Sequence, residues 1–215
     1  MPSPVGHALA GFTIGLLADR TASAWPPGQP RKLLTTMTVL SATVAALPDV
    51  DLLSDFHRGW THSLGATALV AILTAAVTGK VTDVWVRRVR QVRGVRGVRQ
   101  VRGVPRGPAW RLAFALAAAQ ASHILLDWLG TDRFPPSGIQ VFWPFGTSHY
   151  LSGWDIFPRT ERNFANPDIL AINLRAVLFE LFALGPLVWL SIMVKRRRRS
   201  RVLISVPDHP QPPSA

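Results

Sequence analysis

His123 and Asp127, in the stretch ASHILLDWLG, stand four residues apart, so on a helix they place an imidazole and a carboxylate on one face, one turn from each other. Taken alone the pair is either a buried hydrogen-bonded couple or half of a metal site. The segment LPDVDLLSDFHRGWTHS, residues 47–63, adds Asp49, Asp51, His57, Arg58 and His62, and His7 lies near the start in GHALAG. Four imidazoles and three carboxylates offer enough nitrogen and oxygen donors for two divalent ions bridged by a carboxylate. With no cysteine in the chain, any metal must be held by His, Asp or Glu, a donor set that suits Zn²⁺ first, then Mn²⁺ or Fe²⁺, and suits Mg²⁺ or Ca²⁺ less. Such ions support in-line displacement at a phosphoester. Arg58 is then the candidate catalytic cation, able to grip a phosphate through two parallel N–H bonds. Its other reading is an interfacial charge facing lipid headgroups.

Other catalytic arrangements find little in the sequence. There is no G-x-S-x-G elbow and no H-E-x-x-H, and Ser122 next to His123 points away from it on a helix. Glu180 falls inside an apolar stretch, where a bare carboxylate is expensive. It is expected to be neutral or to reach a partner such as a site histidine or Arg175. His149 and Asp155 read as solvated loop residues outside the donor set.

The elements that position these residues follow from hydropathy. Among 215 residues 48% are hydrophobic, and mean hydropathy is +0.20 despite a formal charge of +12, so the apolar residues are clustered, as in a membrane chain. Five apolar stretches, residues 5–18, 33–47, 63–79, 109–129 and 174–194, predict an all-α fold: a multi-pass transmembrane helical bundle with about four or five membrane helices. The last two have full spanning length. The first three reach only about 21 to 26 Å as helices, against a hydrocarbon core of about 30 Å. Pro48 ends the second helix near Leu47 and delivers Asp49 and Asp51 at its C-terminal end.

One membrane domain, residues 1–195, is followed by a basic, Pro-rich tail, residues 196–215. An Arg-rich loop, residues 86–108, interrupts the domain, with Arg90, Arg93, Arg96, Arg99 and Arg102 at a period of three that fits neither helix nor strand. It reads as a solvated loop, with contact to anionic lipid headgroups as the alternative, and without interleaved aromatics no specific nucleic acid is expected. Short Lys/Arg-rich segments stay in the cytoplasm. With the Arg loop, the tail and Arg20, Arg31 and Lys32 inside, the N-terminus and residues 48–62 and 130–173 fall outside. Four helix ends then carry His7, Asp49, Asp51, His57, His62, His123 and Asp127 to one outer face. The start of the chain lacks a basic n-region and an A-x-A site, so no cleaved signal peptide is expected.

GHALAG, LPDVD, HRGWTHS, SHILLDWLGTD and FWPF, in this order, resemble the YdjM-like family of membrane-bound metal-dependent hydrolases over roughly residues 5–185. The resemblance implies a multi-pass bacterial inner-membrane protein and points, position by position, to His7, Asp49, Asp51, His57, His62, His123 and Asp127. The long Arg repeat departs from that pattern.

The sequence is thus read as a membrane-bound hydrolase of a phosphoester or lipid-headgroup substrate, with membrane lipids as its surroundings and partners. The alternative from another class is a non-catalytic, metal-stabilised membrane adaptor or transport accessory protein. An ion or proton pathway would need polar residues continuing down the helices, and beyond Glu180 only a few Ser and Thr do so.

Overall fold

Apolar residues without helix breakers set the helices, and Ser, Thr, Pro and Gly set their limits. The computed structural model describes residues 1–19, 33–53, 58–92 and 109–204. Among these, five helices form an all-α fold: α1 (Pro4–Ala18), α2 (Thr36–Ala46), α3 (Leu64–Val92), α4 (Ala109–Leu129) and α5 (Ile169–Ile204). Ser3 caps α1 by accepting from the Gly6 N–H, with Pro4 in the first turn, where its missing N–H costs nothing. Thr35 and Thr38 close a capping box on α2. As Pro48 predicts, α2 stops at Ala46, and the chain tightens into 3₁₀ turns over Leu47–Leu53.

Among the described residues, three helices are long and apolar enough to cross a membrane, over Leu64–Val81, Trp110–Leu129 and Ile169–Arg197. With 15 and 11 residues, α1 and α2 are shorter. Half of the α4 span is buried inside the protein, against 6% of the α3 span, so α4 is the central helix and α3 turns its apolar side chains outward. Two helices outrun the apolar stretches: residues 86–92, expected in the Arg-rich loop, continue α3, and residues 196–204, expected in the tail, continue α5. Arg, Gln and Lys are good helix formers and no Gly or Pro interrupts them, so the helix persists where hydropathy has ended. Residues 93–108 and 205–215, the rest of those two segments, lie outside the described residues, as do Arg20, Arg31 and Lys32.

The tightest packing is between α1 and α2. A Cβ on Gly11 would lie 2.3 Å from the Ser41 carbonyl oxygen, and one on Gly15 would lie 2.7 Å from Thr38 Cα. The G-x-x-x-G spacing therefore lets two backbones touch, the usual means of close approach where no water drives helices together. Thr38, Ser41 and Ala45 form the buried stripe of α2 that receives it. At the opposite end from His7, Lys195 Nζ lies 2.7 Å from Asp19 Oδ2, pinning α5 to the end of α1.

The connection from α4 to α5 contains no strand, only the isolated bridges Gly130–Phe157 and Ile139–Tyr150. It folds back over the start of α3, where the Leu64 N–H donates to the Val141 carbonyl at 2.9 Å and the Gly65 N–H to the Trp143 carbonyl at 3.2 Å. Ile139 joins Met1 and Ile124 in one apolar cluster, and Phe157 joins Leu126 and Leu184 in another. This connection roofs the end of the bundle where the first turns of α1, the end of α2 and the end of α4 meet.

Candidate metal centre

That roofed end collects the ligand-type residues. His7 stands one turn into α1, Asp49 in the 3₁₀ turns after α2, His62 in the 3₁₀ turn Trp60–His62 before α3, and His123 and Asp127 in the last turns of α4. His7, His62, His123 and Asp127 have no solvent exposure, and Asp49 is buried. The His7 and His123 rings stack at 3.8 Å between centroids, and His62 meets His123 edge-on at 4.7 Å.

Asp127 lies at the centre. Its Oδ1 is 3.3 Å from His7 Nε2, and its Oδ2 is 3.4 Å from His62 Nε2 and 3.1 Å from His123 Nε2, while Asp49 Oδ2 lies 3.8 Å from His7 Nε2. These approaches are not hydrogen bonds. His7 Nδ1 and Nε2, His123 Nε2, Asp49 Oδ2 and both Asp127 oxygens have no hydrogen-bond partner among the described residues. Buried polar atoms normally find partners, and leaving one without costs about 1–3 kcal/mol. Donor atoms from His7, Asp49 and His123, and again from His62, His123 and Asp127, converge within 4.8 Å of one another. The residues therefore fit a divalent cation, because an ion between them would give a partner to the orphan atoms that converge there, one from each residue.

The imidazoles are oriented from behind. His123 Nδ1 lies 2.7 Å from the Ala45 carbonyl, which can only accept, so Nδ1 carries the proton and Nε2 presents its lone pair to the cluster. Behind His62, Asp51 Oδ2 lies 3.2 Å from Nδ1 and also accepts from Thr61 Oγ1 at 2.6 Å and the Arg58 N–H at 3.2 Å. Gln120 on α4 holds the Thr61 carbonyl at 2.8 Å. Asp51, expected among the ligands, thus stands behind one of them. His57 lies outside the described residues. His149 and Asp155 belong to neither converging group among the described residues.

Arg58 is placed differently from its reading as an interfacial charge. It adopts a left-handed backbone (φ 68°) and is 7% exposed, so it does not face headgroups. Its Nη1 donates to Asp132 Oδ2 at 2.5 Å and to the Phe134 carbonyl at 3.1 Å, so one end of its fork is already committed. Glu180 differs too. Arg175 is exposed, and the partner of Glu180 is Ser3, whose backbone N–H donates to Oε1 at 2.5 Å and whose hydroxyl donates to Oε2. The carboxylate thereby sits at the positive end of the α1 dipole, one turn from His7, and holds the helix that carries it. Sequence reasoning missed Ser3, Thr61, Gln120 and Asp132. A Ser-Pro pair ahead of an apolar run signals a helix cap and marks Ser3, but no local signal links the others to partners 59 to 74 residues away.

The profile of a family described as "YdjM inner membrane protein" matches residues 1–202. No curated protein and no solved structure matches the chain.

Proposed function

The chain belongs to the YdjM inner membrane protein family, and from that premise and the donor cluster we propose that it is a metal-dependent hydrolase acting on a phosphoester or lipid-headgroup substrate at the outer face of the membrane. One observation carries the reading: two imidazoles, His7 and His123, and two carboxylates, Asp49 and Asp127, all buried, carry unpartnered atoms in a cluster whose donor atoms, with those of His62, converge. His7, Asp49 and His123, and His62, His123 and Asp127, are the residues that would hold divalent metal, with zinc preferred for the nitrogen-and-oxygen donor set. The ion supplies a Lewis acid beside the phosphoryl group. The chain supplies the rest. Ala45 fixes the tautomer of His123, Asp51 and Thr61 orient His62, Glu180 fixes the helix bearing His7, and the α4–α5 connection keeps bulk water from the centre.

The complete burial of the donors favours a second reading, a metal-stabilised adaptor or transport accessory protein, because structural sites are closed whereas catalytic ones keep an open position. Turnover separates the two. Purified protein loaded with Zn²⁺, Mn²⁺ or Fe²⁺ is expected to hydrolyse at least one member of a phosphoester and phospholipid panel; no turnover on any of them leaves the structural reading.

The proposed orientation has the chain crossing the membrane several times, with the C-terminus cytoplasmic and residues 130–173 outside, and membrane lipids rather than nucleic acid are its surroundings. A cysteine at Ser137 is expected to react with an impermeant thiol reagent in intact cells, and one at Gly97 is expected to be silent. The opposite labelling pattern would invert the topology.

A further inference from the structure

Beside the donor cluster, the N-terminal end of α1 and the α4–α5 connection enclose a small pocket whose lining includes Arg58, Arg133, Arg159 and Arg162 together with Thr131 and Thr160. Four arginines line this space with one carboxylate, Asp132, which Arg58 engages; a second carboxylate, Glu161, stands between Thr160 and Arg162 in the chain, and both already accept several hydrogen bonds. Asp132 accepts from the Phe134 N–H at 3.2 Å and the Gly138 N–H at 2.8 Å as well as from Arg58. Glu161 accepts from the Arg162 and Asn163 N–H groups at 2.8 and 3.0 Å and from Asn166 Nδ2 at 3.2 Å. The backbone bonds from Asn163 and Arg162 hold its carboxyl below the usual range, so it stays ionised and in place.

The cations are positioned but unsatisfied. Arg58 is more than nine-tenths buried, and its Nε has no hydrogen-bond partner among the described residues. Arg159 lies over the Phe134 ring at 5.8 Å and is 3.8 Å from Glu161 Oε2, a separation too long for a hydrogen bond. Arg162 is half-buried, within the fields of Asp49 and Asp127, which links the pocket to the donor cluster. Burial pushes its pKa down, the mark of a cation drawn out of water without full compensation. A second link runs through Arg58, whose backbone N–H binds the Asp51 carboxylate behind His62. Planar guanidinium forks match phosphate oxygens, and a hydroxyl such as that of Thr131 can donate to them as well.

We propose that this arginine pocket is an anion subsite that holds a phosphate group of the substrate next to the metal centre, with Arg162, Arg159 and the free edge of Arg58 as its specificity-determining residues. The assignment rests on the hydrolase reading for the word substrate, but not for phosphate binding itself. It narrows the substrate class to a phosphate-bearing compound, which a lipid headgroup or a soluble phosphate ester equally supplies.

The test is calorimetric titration of inorganic phosphate into the full-length, metal-loaded protein in detergent. Wild type is expected to bind, and Arg162→Gln and Arg159→Gln are each expected to weaken binding about 10-fold or more, the ordinary consequence of losing a hydrogen bond between charged groups. Arg111→Gln, which removes an equal charge at the other end of α4, should leave binding unchanged, and metal content should be unaltered in all three. Displacement by phosphatidic acid in phosphatidylcholine nanodiscs identifies a lipid headgroup, whereas displacement by glycerol phosphate alone identifies a soluble ester; both outcomes uphold the subsite. No binding to wild type, or equal binding to wild type and both pocket variants, would overturn it. Phosphate binding that persists in protein with neither metal nor turnover would sink the hydrolase reading and leave the subsite standing.

Discussion

Asp127→Asn is expected to strip the protein of bound metal and to lower kcat/KM by about 100-fold or more, on whichever phosphoester proves to be turned over. Among the described residues Asp127 alone reaches all three imidazoles, at 3.1 to 3.4 Å, so its negative charge lies against every imidazole of the centre. Asparagine keeps the shape and one acceptor but removes that charge and aims an N–H at lone pairs meant for a cation. The helix should survive, since residue 127 lies in the last turn of α4 and makes no side-chain hydrogen bond to lose. Metal analysis and turnover, read on the same preparation, check the pair of effects. A variant with wild-type metal and wild-type rate would show that Asp127 is a bystander. Loss of metal with loss of thermal stability, in a protein that never turned over any ester, would favour the structural role.

Glu180→Ala should be the most destabilising change outside the centre, at about 3 kcal/mol, visible as a lowered Tm in detergent. It removes both acceptors of Ser3, leaving a buried N–H and hydroxyl unpaired, and opens a cavity where the carboxylate packs against Gly6, whose Cβ, if present, would be 2.8 Å from Glu180 Cδ. Glu180→Gln retains an acceptor and the volume, so it should cost only about 1 kcal/mol. A positioning role adds a second signature. Metal affinity should fall in the alanine variant, because α1 carries His7, and should recover in the glutamine variant. If Glu180→Ala melts like wild type and keeps its metal, Glu180 does not hold α1.

What the sequence made legible was the part written in local spacing. His123 and Asp127 share a face because of a four-residue interval, and Pro48 marks the end of α2 and so where Asp49 emerges. The five apolar stretches correspond to the five helices. What it hid was direction and distance. Asp49 and Asp51 are two residues apart in the same 3₁₀ turns, yet Asp49 faces His7 while Asp51 faces the far side of His62, a distinction that depends on where α1 and the Trp60–His62 turn dock. Arg58 looked available because its partner, Asp132, is 74 residues away. Hydropathy marked where helices stop being apolar, not where they stop, so α3 and α5 ran on. The Gly11–Gly15 spacing was present in the sequence as a signal of close helix contact, and it is what brings α1, and His7 with it, against α2.

The central claim is that the buried histidines and aspartates enclose a divalent cation. The most direct measurement is elemental analysis of the full-length protein, purified in detergent after growth with Zn²⁺, Mn²⁺ or Fe²⁺ and compared with His123→Ala, which removes the one residue common to both donor groups. The account predicts stoichiometric metal in wild type, zinc foremost, and a several-fold loss in the variant. Wild type that carries no stoichiometric metal under any of the three supplements would contradict it, and the cluster would then be an interior hydrogen-bond network with no ion to complete it.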